Sequence, residues 1–231
     1  GHYDPRTLDQ LCEIIALPVR VVQDDKKEVA GKLPVAFCGY HGVFRIPGDD
    51  ALAVMERYSK VMPVFALPHM GVEYKPAPDE LKTTLYRKMI DNGADAVLGD
   101  HPHWIQNTES YKGHLIVYSM GNFMFDQQDS KEVTRSAGIK VTLKTGTVDS
   151  SLLAQWLKIG ESCGKFQDDC LQQIEKQKLA KLPLTFRFGV LPTNDSGKVT
   201  HAATAEQETE ILQRLNWQST MERLQAPYAN L

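Results

Sequence analysis

Three short apolar runs in this chain each break into a polar stretch rich in potential ligands. Residues 64–67 give way to Pro68, His69, Met70 and Gly71. Residues 96–98 give way to Gly99, Asp100, His101, Pro102 and His103. Residues 115–118 give way to Ser119, Met120, Gly121, Asn122 and Phe123. Apolar runs of this length, bounded by Gly and Pro, read as buried strands. Between the first two, residues 78–92 form an amphipathic helix. Leu81, Leu85, Met89 and Ile90 make its apolar stripe, Asp79 and Glu80 suit its positive end, and Gly93 supplies the cap. Residues 62–98 therefore predict a strand–helix–strand unit with parallel strands and a right-handed crossover. His69 and the pair His101 and His103 then emerge at one sheet edge, although 101 − 69 = 32 positions separate them. Open α/β sheets build ligand sites at that carboxyl edge.

The remaining pattern is scaffold. Residues 6–16 read as a helix on the spacing of Leu8, Leu11, Cys12 and Ile15, 18–23 as a strand, 24–31 as a polar turn, 34–40 as a buried strand ending at His41, and 49–58 as a helix. Beyond residue 107, strands over 115–118, 122–125 and 139–143, with turns at 112–113 and 144–146, predict a second, more antiparallel sheet. Residues 150–182 read as helical, with Leu152, Leu153, Trp156 and Ile159 inward. Residues 184–191 read as a strand, 194–197 as a turn, 204–224 as a helix burying Ile211, Leu212 and Leu215, and 226–231 as a loose tail.

A length of 231 residues suits one α/β domain or two small ones, and a single domain over residues 1–231 is expected. The net charge of −3, without a basic tract, gives no electrostatic footprint for nucleic acid. No apolar stretch is long enough to span a membrane and no signal peptide is visible. Cys38, in an apolar strand, reads as a small buried thiol. Cys163 and Cys170 fall on one face of the 150–182 helix, about 10 Å apart at 1.5 Å per residue, which is too far for a bridge. With no C-x-x-C pair, a structural zinc knuckle is not expected.

The chemistry lies in the loops. Neutral imidazole is the commonest ligand of zinc-, iron- and manganese-type ions. His101 and His103, two apart in an extended segment, project to one face and can share an ion or serve a close pair, with His69 as a third nitrogen. Two ions about 3.5–4 Å apart would clamp an oxyanion and activate water. The available oxygen ligands are Glu73, Asp100, Asn122 and Asp126. Asp100 serves equally well as a cap for the turn at Pro102, and Asn122 as a left-handed turn residue. His41 is open between structure and ligation, whereas His2, His114 and His201 read as structural or surface. Ser119 lacks the G-x-S-x-G elbow of a serine hydrolase. A retaining glycosidase would have only Glu73 and Asp126 to draw on, and no Gly-rich phosphate loop is present.

The string HMGVEY, followed by GADAVLGDHPHWIQNTESYKGHLIVYSMGNFMFDQ, resembles the bacterial capsule synthesis protein family, the CapA-type poly-γ-glutamate synthesis proteins. The resemblance implies a calcineurin-like metallophosphatase fold, a four-layer α/β/β/α sandwich lacking its N-terminal strands in this chain. It implies a site for divalent metal ions, two of Mn, Zn or Fe in the complete protein, held by His69, His101 and His103. His69, His101 and Asn122 would act in catalysis, with Glu73, Asp100 and Asp126 beside substrate or behind the ligands. The family's first strand with its metal-binding Asp, and its N-N-H-x-x-D segment, have no counterpart in this sequence. An N-terminal segment or another subunit is therefore expected to complete the site. The activity implied is that of a metal-dependent hydrolase of capsule or poly-γ-glutamate biosynthesis, with metal-activated water attacking a phosphoryl or γ-glutamyl centre of an acidic polymer or phosphoester. The alternative is a non-catalytic binding or assembly component for polymer synthesis or export. A membrane-associated, extracytoplasmic synthesis complex is the setting the family suggests.

Overall fold

The computed structural model describes residues 10–23, 27–146, 149–163, 167–197 and 199–228. Six strands form one mixed sheet: β1 (Gln10–Gln23), β2 (Lys27–His41), β3 (Val64–His69), β4 (Ala96–Leu98), β5 (Thr108–Tyr111) and β6 (His114–Val117). Their order is β1-β2-β3-β4-β6-β5. The inner pairs β2–β3, β3–β4 and β4–β6 are parallel, and the outer pairs β1–β2 and β5–β6 are antiparallel. Helices α1 (Asp49–Ser59) and α2 (Glu80–Asp91) are the crossovers from β2 to β3 and from β3 to β4. The predicted strand–helix–strand unit is thus present, with its two strands parallel.

A short helix α3 (Lys131–Thr134) leads into β7 (Arg135–Thr145). Helices α4 (Ser150–Cys163) and α5 (Gln167–Gln177) follow, then β8 (Leu184–Ser196), β9 (Val199–Ala202), α6 (Ala205–Leu215) and α7 (Trp217–Met221). Strands β7, β8 and β9 make a three-stranded antiparallel sheet. Phe65 links the two sheets: its ring stacks on Phe37 of β2 at 5.6 Å and meets Phe186 of β8 edge-on at 6.1 Å. Helix α4 lies directly on β2, where a Cβ at Gly160 would fall 1.8 Å from the Lys32 carbonyl oxygen. Among the described residues no helix is long and apolar enough to cross a membrane.

Several expectations are corrected. Residues 10–16, read as helix, lie in β1, with Ile14 opposite Ala36 and Ile15 opposite Val35. Pairing with β2 overrides a marginal helical period in a segment rich in β-branched residues; residues 6–9 of that expected helix lie outside the described residues. The expected polar turn over 24–31 is strand from Lys27 onward, and residues 24–26 lie outside the description. Residues 115–117 pair parallel to β4 in the first sheet rather than joining the second. Residues 122–125 form a loop, not a strand. The helix expected over 150–182 is two helices, α4 and α5. The chain reversal between them brings Cys163 and Cys170 to a Cα separation of 4.8 Å in a disulfide. The 10 Å spacing of a continuous helix therefore does not apply. Cys38 is likewise no free thiol but is bridged to Cys12 across β1 and β2. Strand β8 runs on through Ser196, so of the turn expected over 194–197 Gly197 is turn and the other three residues are strand. The helix over 204–224 breaks at Asn216, which is left-handed at φ 53°. The tail is anchored at least to Tyr228, which is buried against His114 and Phe186 and donates its hydroxyl to Asp95 at 2.8 Å. In α2 the stripe is displaced by one residue: Leu81 faces solvent, and Lys82 lies buried with Leu85, Tyr86, Met89 and Ile90.

Candidate metal centre

Strands β2, β3, β4 and β6 run parallel, so the segments that follow them open at the same sheet edge. His69 is the last residue of β3 and bridges to Asp100 just beyond β4. His69 Nε2 stands 3.3 Å from His101 Nδ1. Glu73, on the loop after β3, places Oε1 3.9 Å from His101 Nε2 and 3.8 Å from His103 Nε2. The ligand atoms of Glu73, His101 and His103 all lie within 4.8 Å of one another. Tetrahedral donors about 2.1 Å from a shared ion stand about 3.4 Å apart, so the Glu73 contacts are about half an ångström long, and the group, spread up to 4.8 Å, must draw in to hold one ion. Two imidazoles, a carboxylate and a third imidazole alongside are a donor set that fits zinc, iron or manganese.

The protons on the rings follow from their partners. Asn122 is buried, and its Nδ2 donates to the Val133 carbonyl at 3.1 Å and to Gln127 Oε1 at 3.0 Å. Its Oδ1 therefore faces His103 Nδ1, at 2.7 Å, and accepts the ring proton from it. That leaves the lone pair of His103 on Nε2, the atom beside Glu73. Burial, with the positive field of His69 behind it, holds His101 below the usual imidazole pKa, toward the neutral form a metal ligand requires. Burial pushes the Asp100 carboxyl up. The His69 side chain, the His101 backbone and the charge of the neighbouring histidines outweigh it and hold the carboxyl below its ordinary value. Asp100 Oδ2 lies 3.6 Å from His69 Nδ1.

The backbone here is unusual. His101 (φ 96°), His103 (φ 63°), Tyr74 (φ 55°) and Met124 (φ 56°) are left-handed without being glycine. Such residues cost on the order of 1–3 kcal/mol each and persist only where the surroundings over-determine them. One tie is the bond from the Tyr74 N–H to the Pro102 carbonyl at 2.8 Å, which joins the two ligand loops. Aromatic rings wall the group: Tyr74 stacks on His103 at 5.2 Å and Phe125 lies 5.4 Å from it. Gln127 holds Tyr74 in place through its hydroxyl at 2.8 Å. His41 reaches the same edge, with its ring 5.9 Å from that of His69, and its neighbour Phe44 is 92% exposed.

The structure thus gathers His69, Glu73, Asp100, His101, His103 and Asn122. Asp126 is exposed on the 122–127 loop and lies outside the converging group. His114 packs under the sheet with Nδ1 toward the Ala94 carbonyl, and His201 is exposed on β9. His2 lies outside the described residues. Sequence reasoning missed Tyr74, Gln106, Phe125 and Lys82 as neighbours of the site. The run HMGVEY contained a signal for Tyr74; Lys82 gave none.

Fold and loop chemistry together define an α/β protein with a candidate metal centre of histidines and one carboxylate at the carboxyl ends of parallel strands. Residues 50–127, about a third of the chain, match the family model described as bacterial capsule synthesis protein PGA_cap. It is 48% identical over 59 residues to the PGA biosynthesis protein CapA of Bacillus subtilis, covering 26% of this chain and 16% of that protein. It is 46% identical over 59 residues to the capsule biosynthesis protein CapA of Bacillus anthracis, covering 26% and 14%. An uncharacterized protein of Sinorhizobium fredii, y4sH, is 41% identical over 58 residues, covering 25% and 13%. The matched stretch spans 13–16% of the length of these curated relatives.

Proposed function

We propose that this chain carries part of a metal-dependent hydrolase of capsule or poly-γ-glutamate biosynthesis, built on a calcineurin-like four-layer α/β/β/α sandwich. The observation that carries the reading is the convergence of Glu73, His101 and His103, with His69 3.3 Å from His101, on loops of adjacent parallel strands. His69, His101, His103 and Glu73 would hold a pair of divalent ions, manganese, zinc or iron. When bound, such ions act as Lewis acids toward a phosphoryl or γ-glutamyl oxygen and make water a nucleophile at neutral pH. The chain's own groups do the rest. Asn122 keeps the His103 proton on Nδ1, Asp100 faces His69 Nδ1, and Tyr74 and Phe125 shield one side from bulk water. His69 and His101 lie closest to the reacting centre, and Asp126 on the lip is placed to meet substrate. One carboxylate among three imidazoles balances little of the charge of two ions, so further acidic ligands from an N-terminal segment or another subunit complete the site in this reading. The substrate is an acidic polymer or phosphoester, and the setting a membrane-associated complex outside the cytoplasm. The two disulfides support that setting, since such bridges persist in oxidising compartments.

The single carboxylate also favours a second reading, a binding or assembly component that keeps the fold without turnover. The test is hydrolysis of p-nitrophenyl phosphate with added manganese or zinc, wild type against His101→Ala. Metal-stimulated turnover that falls about 100-fold in the variant supports the enzyme. Equal rates overturn it and leave the assembly role.

A further inference from the structure

Lys82 occupies the position in α2 where the apolar stripe begins, while the neighbouring Leu81 faces solvent. Its side chain is 1% exposed. Burying an ammonium is costly unless the group is engaged, and a Met or Leu would fill the same volume without that cost. The amine is engaged at the junction of three loops. Lys82 Nζ donates to Gln106 Oε1 at 3.1 Å, and Gln106 is equally buried. Gln106 Nε2 in turn donates to the Lys75 carbonyl at 3.1 Å, and its backbone N–H to the Ser119 carbonyl at 3.1 Å. The lysine stem runs beneath Gly71, where a Cβ would sit 3.0 Å from Cδ and 3.2 Å from Nζ. Nζ also lies 5.3 Å from the centre of the Tyr86 ring, whose hydroxyl donates to the Pro68 carbonyl at 3.3 Å.

Glu73 is itself exposed, on a loop otherwise fastened by the Tyr74–Pro102 bond. We propose that Lys82 and Gln106 form a buried strut that sets Glu73 against His101 and His103, making Lys82 a positioning residue of the candidate metal centre. This rests on the metal-centre reading above. The strut reaches the loop two residues past Glu73 and supports it from below at Gly71, two residues before. A shift of about 1 Å there carries the carboxylate out of ligand range of the imidazoles.

The experiment compares the full chain with Lys82→Met and Gln106→Leu. Zinc binding is followed by titration calorimetry, the metal-free protein by thermal melting, and the amides of residues 72–76 by hydrogen exchange. Lys82→Met is expected to melt no lower than wild type, to bind zinc 10- to 100-fold more weakly, as loss of ligand-supporting groups typically does, and to exchange those amides at least tenfold faster. Gln106→Leu keeps the lysine and is expected to reproduce the weaker binding and faster exchange, which separates the strut from the effect of the lysine's charge. Wild-type affinity and exchange in both variants overturn the proposal, as does a lower melting temperature with unchanged affinity. If wild type binds no zinc, the metal-centre reading fails, and the exchange rates then decide the strut alone: unchanged protection at 72–76 overturns it.

Discussion

The two halves of the large sheet are built on different terms. In β3, β4 and β6 the strands are short, and residues such as Val64, Val97, Ile116 and Val117 are buried completely or nearly so. In the β1–β2 hairpin the strands are long, yet Leu11 and Ile15 are 55% and 44% exposed, and a disulfide crosses the ladder. The histidines of the candidate centre project from the first kind of strand. Enclosure on both faces fixes where those strands end, and hence where His69, His101 and His103 begin. Within the hairpin, β2 buries Val35, Ala36 and Cys38, whereas the outer strand β1 leaves Leu11 and Ile15 open and is held to β2 by backbone pairing and a covalent link.

Removing buried volume from the central strands should produce the largest effect that sharpens this contrast. Ile116→Ala should lower unfolding free energy by about 2–5 kcal/mol in urea titrations, whereas Ile15→Ala should cost under about 1 kcal/mol. Equal losses would erase the distinction. Reduction should weigh next and fall mainly on the hairpin. On a chain-entropy basis, opening the Cys12–Cys38 bridge, with its separation of 26 residues, costs roughly 3.5 kcal/mol, and opening Cys163–Cys170, separated by seven, roughly 2.4 kcal/mol. Melting of Cys→Ser pairs with and without reductant measures both. Tyr228→Phe should follow, at about 1.5–3 kcal/mol, because it removes a donor from buried Asp95, whose other oxygen accepts from the Val64 N–H. The last effect is one of pH. Burial lowers the Lys82 amine to about 7, against the weaker opposing pull of Asp100 and Asp79. Between pH 7 and its unfolded value of 10.5 the unfolded chain binds the extra proton. Wild type should therefore gain stability over that rise and carry the full penalty below pH 7. Urea midpoints at pH 6 and 9 should show the advantage of Lys82→Met shrinking at the higher pH.

The sequence was most legible where local pattern and burial agree. Apolar runs interrupted by Gly and Pro located β3, β4 and β6, and parallelism alone brought His69 to His101. The hairpin was not legible, because Leu11 and Ile15 satisfy a helical period while Ile14, Ile15 and Val19 satisfy a strand. Pairing with β2, a long-range interaction, decided between them. The Cys163–Cys170 bridge depended on a chain reversal that composition did not announce. Among four candidate oxygen ligands, the Tyr74–Pro102 backbone bond favours Glu73, and no side-chain pattern encodes that bond. Lys82 was hidden because a lysine beside a leucine on a helix reads as the solvent side.

The left-handed backbone at residues 101 and 103 carries an implication for engineering. Glycine would rest there more comfortably than histidine does. A screen that rewards heat resistance alone would therefore be expected to return glycine at these two positions and to discard the imidazoles in the process. Sturdier variants of this chain would then be the ones least able to hold an ion.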